Sequence, residues 1–289
     1  MMWNPQVETL PRERMEALQL ERLRAAVARV LAGDPPLGDR LRAAGITSSD
    51  DIRSLADLRR LPFTRKIDLR EHYPFGLFAV PVAELVRIHG SSGTRGKPTI
   101  VGYTRNDLAM WSEVVARCLA LAGVRPGMVV HIAYGYGLFT GGLGLHQGAE
   151  LVGCTVVPIS GGLVQRQATL LQDLGGQVLC CTPSYALCIA EALETAQIDR
   201  RTLKLEVGIF GAEPWSEELR GEIERRLGIA AVNIYGLAEI VGPGVSAECI
   251  EARNGSHIQE DHFLPEIGTT VQPDSSAPWW RPSPPVNRP

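Results

Sequence analysis

Across residues 11–31 the apolar side chains Met15, Leu18, Leu23, Val27 and Val30 recur at the spacing of one helical face, with Pro11 suited to a first turn and Gly33 to a stop. That pattern predicts a helical N-terminal arm. Ser48-Ser49-Asp50-Asp51 supplies capping side chains for a short second helix through Leu58, which Leu61-Pro62-Phe63-Thr64 ends. These residues are expected to form a packing collar. From Met128 onward, short β-branched or apolar runs alternate with helical patterns set off by Gly, Pro or Ser. Strands are predicted at 129–133, 155–159, 177–181, 206–210 and 231–234, and helices at 142–152, 163–174, 184–195 and 216–227. Alternation of this kind builds βα units on a parallel sheet. The expected fold class is therefore α/β, a doubly wound parallel sheet with the helical arm in front of it.

In such a sheet ligands bind beyond the strand carboxyl ends. There the sequence puts Tyr134-Gly135-Tyr136-Gly137, Ser160-Gly161-Gly162, Thr182-Pro183-Ser184, Gly211-Ala212-Glu213-Pro214 and Tyr235-Gly236-Leu237-Ala238-Glu239, which together predict one shared cleft. Upstream, the apolar run Leu85-Val86-Arg87-Ile88 leads into His89-Gly90-Ser91-Ser92-Gly93-Thr94-Arg95-Gly96-Lys97-Pro98. Glycines there let backbone N–H groups turn toward an anion, hydroxyls add donors, and lysine supplies a point charge, so the loop suits polyphosphate. It is not a Walker loop, because Ser91 stands where the first glycine belongs and Pro98 follows the lysine.

Composition narrows the class. A chain of 289 residues with 45% hydrophobic content can bury a large core, in one α/β domain or two smaller ones, and fits a soluble enzyme. A net charge of -3 with both signs scattered gives no basic stripe for nucleic acid. The start, Met1-Met2-Trp3-Asn4-Pro5, lacks a signal-peptide pattern, and no run approaches the ~18 apolar residues of a membrane span, so a cytoplasmic protein without membrane partners is expected. Cys118, Cys154, Cys180, Cys181, Cys188 and Cys249 lie mostly in apolar segments without a C-x-x-C pair, and read as buried free thiols. Cys249, His257 and His262 carry sulfur and nitrogen donors that suit zinc. His146 and His262 read as hydrogen-bonded structural groups.

Five segments in order resemble the adenylate-forming acyl-CoA ligases, and among them the phenylacetate-activating branch: Ser91-Ser92-Gly93-Thr94-Arg95-Gly96-Lys97-Pro98-Thr99, Tyr134 through Gly142, Ile209 through Trp215, Ile234-Tyr235-Gly236-Leu237-Ala238-Glu239, and Glu260-Asp261-His262-Phe263. The resemblance runs from near the N-terminus to Ile267. It implies ATP-dependent ligation of a small aromatic carboxylic acid, phenylacetate, to coenzyme A through an acyl-adenylate, with Mg²⁺ on the phosphates and a homodimeric enzyme. By the same resemblance Ser91, Ser92, Gly93, Thr94, Gly96 and Lys97 are the phosphate loop, and Arg95 stands where the family usually has a small hydroxyl residue. Gly211, Ala212, Glu213, Pro214, Tyr235 and Gly236 match the segments around adenine, with the Tyr235 face suited to stacking. Glu239 matches the acidic residue near the metal, and Lys97 and Glu239 together are the expected catalytic charges. Tyr136, Phe139, Gly141, Ala212 and Pro243 match the aryl-acid pocket, where aromatic walls and small floors leave a slot for a ring.

The family continues past Glu260-Asp261-His262-Phe263 into the rest of a β-rich subdomain, a hinge and a mobile lid, for which no counterparts are read after Ile267. Residues 1–267 are expected to form a partial AMP-binding (adenylation) domain, with the helical arm at 1–80. Residues 268–289 hold six of the 20 prolines and are expected to be a disordered tail outside the family pattern. Three readings stand at this point. The chain is an aryl-acid ligase cut short by a frameshift or early stop, with turnover impaired. Alternatively it is an ATP- and aryl-acid-binding module, or a related adenylating enzyme for another acid, such as a benzoate-type substrate or a cell-envelope precursor.

Overall fold

The helical face of the N-terminal arm belongs to α2 (Arg12–Gly33), preceded by the single turn α1 (Pro5–Glu8) and followed by α3 (Pro35–Ala43) in the computed structural model, which describes residues 2–33, 35–91 and 97–266. Val27 of α2 joins Leu41, Ile46 and Ile52 in a small core of its own, which is the expected collar. The second helix differs from expectation. It is broken into two 3-10 turns, Ser49–Asp51 and Leu55–Arg60, because each has its own capping box, Ser48 with Asp51 and Ser54 with Asp57. Asp57 accepts the backbone N–H groups of Arg53 and Ser54, so the chain restarts a turn instead of continuing the first. A short α4 (Lys66–Glu71) follows.

The lead-in to the Ser/Gly loop is itself a strand, β1 (Arg87–Gly90), paired antiparallel with β2 (Ile100–Tyr103). Gly90 lies opposite Ile100, so the residues flanking the loop are fixed to one another by a ladder. α5 (Arg105–Leu121) is opened by a capping box of Thr104 and Asp107 and is buried along most of its second half.

The main sheet is built from β3 (Val129–Ile132), α6 (Thr140–Val152), β4 (Thr155–Val157), α7 (Val164–Asp173), β5 (Val178–Cys181), α8 (Pro183–Thr195), β6 (Val207–Phe210), α9 (Glu217–Leu227), β7 (Ala230–Leu237), β8 (Gly242–Glu248) and β9 (Ser256–Ile258). Its order is β4-β3-β5-β6-β7-β8-β9. Pairings are parallel from β4 to β7 and antiparallel from β7 to β9, so the doubly wound sheet carries an antiparallel extension at one side. β5 and β6 are buried at every position, as strands covered on both faces must be. α5 and α6 pack on one face around Trp111, Val115 and Leu145, while α7, α8 and α9 pack on the other around Leu171, Ile189 and Ile223. The strand order reverses between β3 and β5, the kind of switch point beside which open α/β sheets hold ligands.

The element boundaries shift by up to three residues. The strand expected at 155–159 ends at Val157, and the strand expected at 231–234 runs on to Leu237. Cys118, Cys180 and Cys181 are buried free thiols, Cys154 and Cys249 are half-buried, and Cys188 is exposed. Among the described residues no helix is long and apolar enough to cross a membrane. The expected tail at 268–289 lies outside the described residues.

Candidate active site

β7 positions the site because it outruns its neighbours. Its pairing with β8 is regular at Ile234–Ala247 and Tyr235–Ser246, then shifts so that Gly236 faces Pro243 and Leu237 faces Gly242. A bulge of this kind re-aims the chain. It demands glycine, since a Cβ on Gly236 would lie 1.8 Å from the Gly242 carbonyl oxygen. Beyond Leu237 a 3-10 turn, Ala238–Ile240, presents Glu239 and ends at Val241 with φ 117°. A β-branched residue there is strained, so the surroundings must hold it. They do: the Tyr103 hydroxyl donates to the Val241 carbonyl at 3.0 Å, and the Trp111 indole N–H donates to the Pro243 carbonyl at 2.8 Å.

The end of β6 meets β7 just as closely. A Cβ on Gly211 would stand 2.2 Å from the Ile234 carbonyl oxygen, and Ala212 takes a left-handed φ of 71°. From β3, the buried Tyr134 hydroxyl donates to the Gly211 carbonyl at 3.2 Å, and burial pushes this phenol far above its usual range. Between these backbones lies a cavity of about 180 Å³. Its walls come from widely separated segments: Ser91 after β1, Tyr134, Phe139, Thr140, Gly141 and Leu145 around the start of α6, Ala212, the run from Gly236 to Glu239, Pro243 of β8, and Lys66 of α4.

The residues proposed from sequence are placed unevenly around it. Phe139, Gly141, Ala212, Gly236, Glu239, Pro243 and Ser91 line the cavity together. Tyr136 does not. Its hydroxyl is within 3.1 Å of His146 Nδ1, its backbone N–H reaches the Ser160 hydroxyl at 3.4 Å, and burial raises its pKa. Tyr235 sits beside the cavity on β7 with 40% of its surface exposed, and burial followed by the Glu239 charge raises its pKa. Glu213 turns away to accept the Ser184 backbone N–H at 2.7 Å at the start of α8, where Thr182 is the N-cap, and Pro214 lines no part of the cavity. Lys97 is exposed, with Nζ 4.8 Å above the Tyr73 ring. Ser92, Gly93, Thr94, Arg95 and Gly96 lie outside the described residues. Of the strand-end segments, Ser160-Gly161-Gly162 and Thr182-Pro183-Ser184 do not reach this cavity.

Lys66 is the residue that sequence reasoning missed. Its Nζ stands 3.1 Å from Glu239 Oε1 at the cavity edge. No motif surrounds it, so only the fold that brings α4 over β7 reveals it. Glu239 Oε1 is buried and has no hydrogen-bond partner beyond that ion pair. A carboxylate oxygen with an unused lone pair facing a cavity fits a hard cation such as Mg²⁺, whose remaining positions phosphates and water fill. The zinc expectation fails: among the described residues no group of three or more His, Cys, Asp or Glu side chains stands close enough to hold a metal ion, so Cys249, His257 and His262 form no such site.

The family described as AMP-binding enzyme matches residues 84–274. A phenylacetate-coenzyme A ligase of Thermus thermophilus is 57% identical over 278 residues, 96% of this chain and 62% of that protein. One from Escherichia coli K12 is 50% identical over 274 residues, 94% of this chain and 62% of that protein. The chain thus spans less than two thirds of the length of these curated relatives. Among solved structures, 2-hydroxyisobutyryl-CoA ligase in an open conformation, in complex with 2-HIB-AMP and CoA, superposes with a TM-score of 0.83 at 27% identity, covering 90% of this chain and 62% of that one.

Proposed function

We propose, from the premise that this chain belongs to the AMP-binding enzyme family, that its cleft activates phenylacetate with ATP for transfer to coenzyme A. The observation that carries the reading is the single cavity in which Phe139, Gly141, Ala212 and Pro243 meet Gly236 and Glu239. Its volume of about 180 Å³ suits one aromatic ring with a short acid arm. In the first step a carboxylate oxygen of the acid attacks the α-phosphorus of ATP. The new O–P bond forms as the bond to pyrophosphate breaks. In the second, the CoA sulfur attacks the acyl carbon, the acyl–oxygen bond to AMP breaks, and the thiol proton leaves to solvent.

The chain's part in this is placement and charge. Phe139 and Pro243 enclose the ring, and Gly141 and Gly236, whose missing Cβ atoms let the Phe139 ring and the Gly242 backbone close in, complete the wall. Tyr235, exposed on the rim, offers a face for adenine. Ser91 and Lys97 flank the loop proposed to take the triphosphate. Glu239 would hold Mg²⁺, which supplies neutralisation of phosphate charge when bound, and Lys66, paired with Glu239 at 3.1 Å, competes with the metal for that carboxylate. A homodimer is part of the proposal and is read by sedimentation.

The test is a panel of acids. With ATP, Mg²⁺ and CoA present, thioester formation is expected to be fastest with phenylacetate. Faster reaction with a benzoate-type or aliphatic acid overturns the substrate assignment, and saturable ATP binding without any turnover favours the binding-module reading.

A further inference from the structure

Two parts of the site that would carry different substrates are tied to one carbonyl oxygen. Leu138 O accepts the Gly90 N–H at 2.8 Å and His89 Nδ1 at 2.9 Å. Gly90 immediately precedes Ser91, where the phosphate segment begins, and Leu138 immediately precedes Phe139, which lines the cavity. The Leu138 side chain is exposed, so at this residue it is the carbonyl, not the side chain, that ties the loop to β1. A carbonyl only accepts, so Nδ1 carries the proton. Burial lowers the His89 pKa and keeps the ring neutral, which makes Nε2 a bare lone pair. That nitrogen is buried and has no partner.

A buried nitrogen without a donor is a cost. The His89 ring also stands nearly perpendicular to Tyr103 and Trp111, with centroids 5.6 and 5.7 Å away. Phenylalanine would make both ring contacts without stranding a nitrogen. Packing alone therefore does not account for an imidazole here, whereas the Nδ1–H bond to Leu138 does.

Resting on the functional reading above, we infer that His89 is a positioning residue that couples the aryl-acid wall to the phosphate segment, so that each substrate strengthens binding of the other. An acid seated against Phe139 fixes Leu138 O. That oxygen in turn fixes His89 and Gly90 at the base of the phosphate segment, and by linkage ATP does the same for the acid.

The experiment measures binding of α,β-methylene-ATP, which cannot be adenylated, with and without saturating phenylacetate. In the unaltered chain the acid is expected to tighten nucleotide binding on the order of tenfold. His89→Phe, which keeps the ring packing and the Gly90–Leu138 backbone bond, is expected to bring that ratio down to about threefold or less, and His89→Asn, which keeps an N–H donor, to retain more of it. A merely structural histidine would lower the melting temperature in both variants and leave the ratio unchanged. As a check that needs no variant, phenylacetate alone is expected to slow hydrogen exchange of the Gly90 amide. An unchanged ratio in His89→Phe, a ratio of one in the unaltered chain, or unaltered Gly90 exchange overturns the coupling. A chain that binds neither ligand overturns the ligase reading and the coupling with it, whereas binding of both without coupling overturns the coupling alone.

Discussion

Replacing Gly236 with alanine tests whether the bulge between β7 and β8 is what shapes the site. The added Cβ would stand 1.8 Å from Gly242 O, 2.5 Å from Gly242 C and 2.7 Å from Pro243 Cα. All are backbone atoms, which cannot rotate aside, so the two chains must separate by on the order of an ångström. Overpacking of this kind costs about 3 kcal/mol, the upper end of its usual range, because no side chain can give way. Pro243 moves with β8, and a misplacement of about 1 Å lowers turnover on the order of a hundredfold. Gly221 is the control. It lies within α9 with nothing within 4 Å of its added Cβ, so Gly221→Ala gains about 0.5–1 kcal/mol from helix propensity. Urea denaturation reads both changes, and the two variants should move in opposite directions. A Gly236→Ala chain as stable as the unaltered one, or a Gly221→Ala chain equally destabilised, would refute the close-approach argument.

Other consequences are as direct. Arg220 makes two 3.0 Å bonds to Glu248 in a buried site, with its guanidinium 4.5 Å from the Trp215 ring, so Glu248→Ala leaves this cation only Glu217 at 2.9 Å and the Ala231 carbonyl, and should cost about 3 kcal/mol by chemical denaturation. His131 donates from Nε2 to Gln167 Oε1 at 2.6 Å, and burial lowers its pKa below the ordinary 6.5. Below that value the unfolded chain binds the proton that the folded chain refuses, so stability is full above the ordinary 6.5 and falls as pH drops through it. His131→Gln should flatten part of that slope in urea midpoints, and an unchanged slope would sink the assignment. Lys66 is 52% exposed on its side chain, which limits its ion pair with Glu239 to about 1 kcal/mol or less. Lys66→Met should thus lower the Mg²⁺ concentration that half-supports ATP binding by no more than about fivefold; a higher requirement would mean that Lys66 assists the metal and does not compete with it.

The parallel core could be read from sequence because its signals are local. β5 and β6 are short apolar runs buried on both faces, and the helices beside them are bounded by Gly, Pro or Ser. α5 was harder, since its buried positions run almost continuously from Val114 to Ala120 and show no amphipathic period, although Thr104 and Asp107 were there to mark its start. β8 begins Gly-Pro-Gly and reads as a turn; pairing with the bulged β7 makes it a strand. In the site, motif residues such as Phe139, Ala212 and Glu239 converge because several strand ends face one cavity. The family resemblance puts Tyr136 in the aryl-acid pocket, whereas its hydroxyl is within 3.1 Å of His146 and it lines no part of the cavity. Lys66 and His89 act through contacts made across the fold, which no spacing along the chain reveals.

The reaction proposed for this cleft joins an aryl acid to the α-phosphate of ATP. Adenylation is reversible, so exchange of labelled pyrophosphate into ATP reads that step without CoA. Exchange is expected to require both phenylacetate and Mg²⁺ and to be lost in Glu239→Gln. Exchange that is absent under these conditions, or that proceeds equally without the acid, would contradict it.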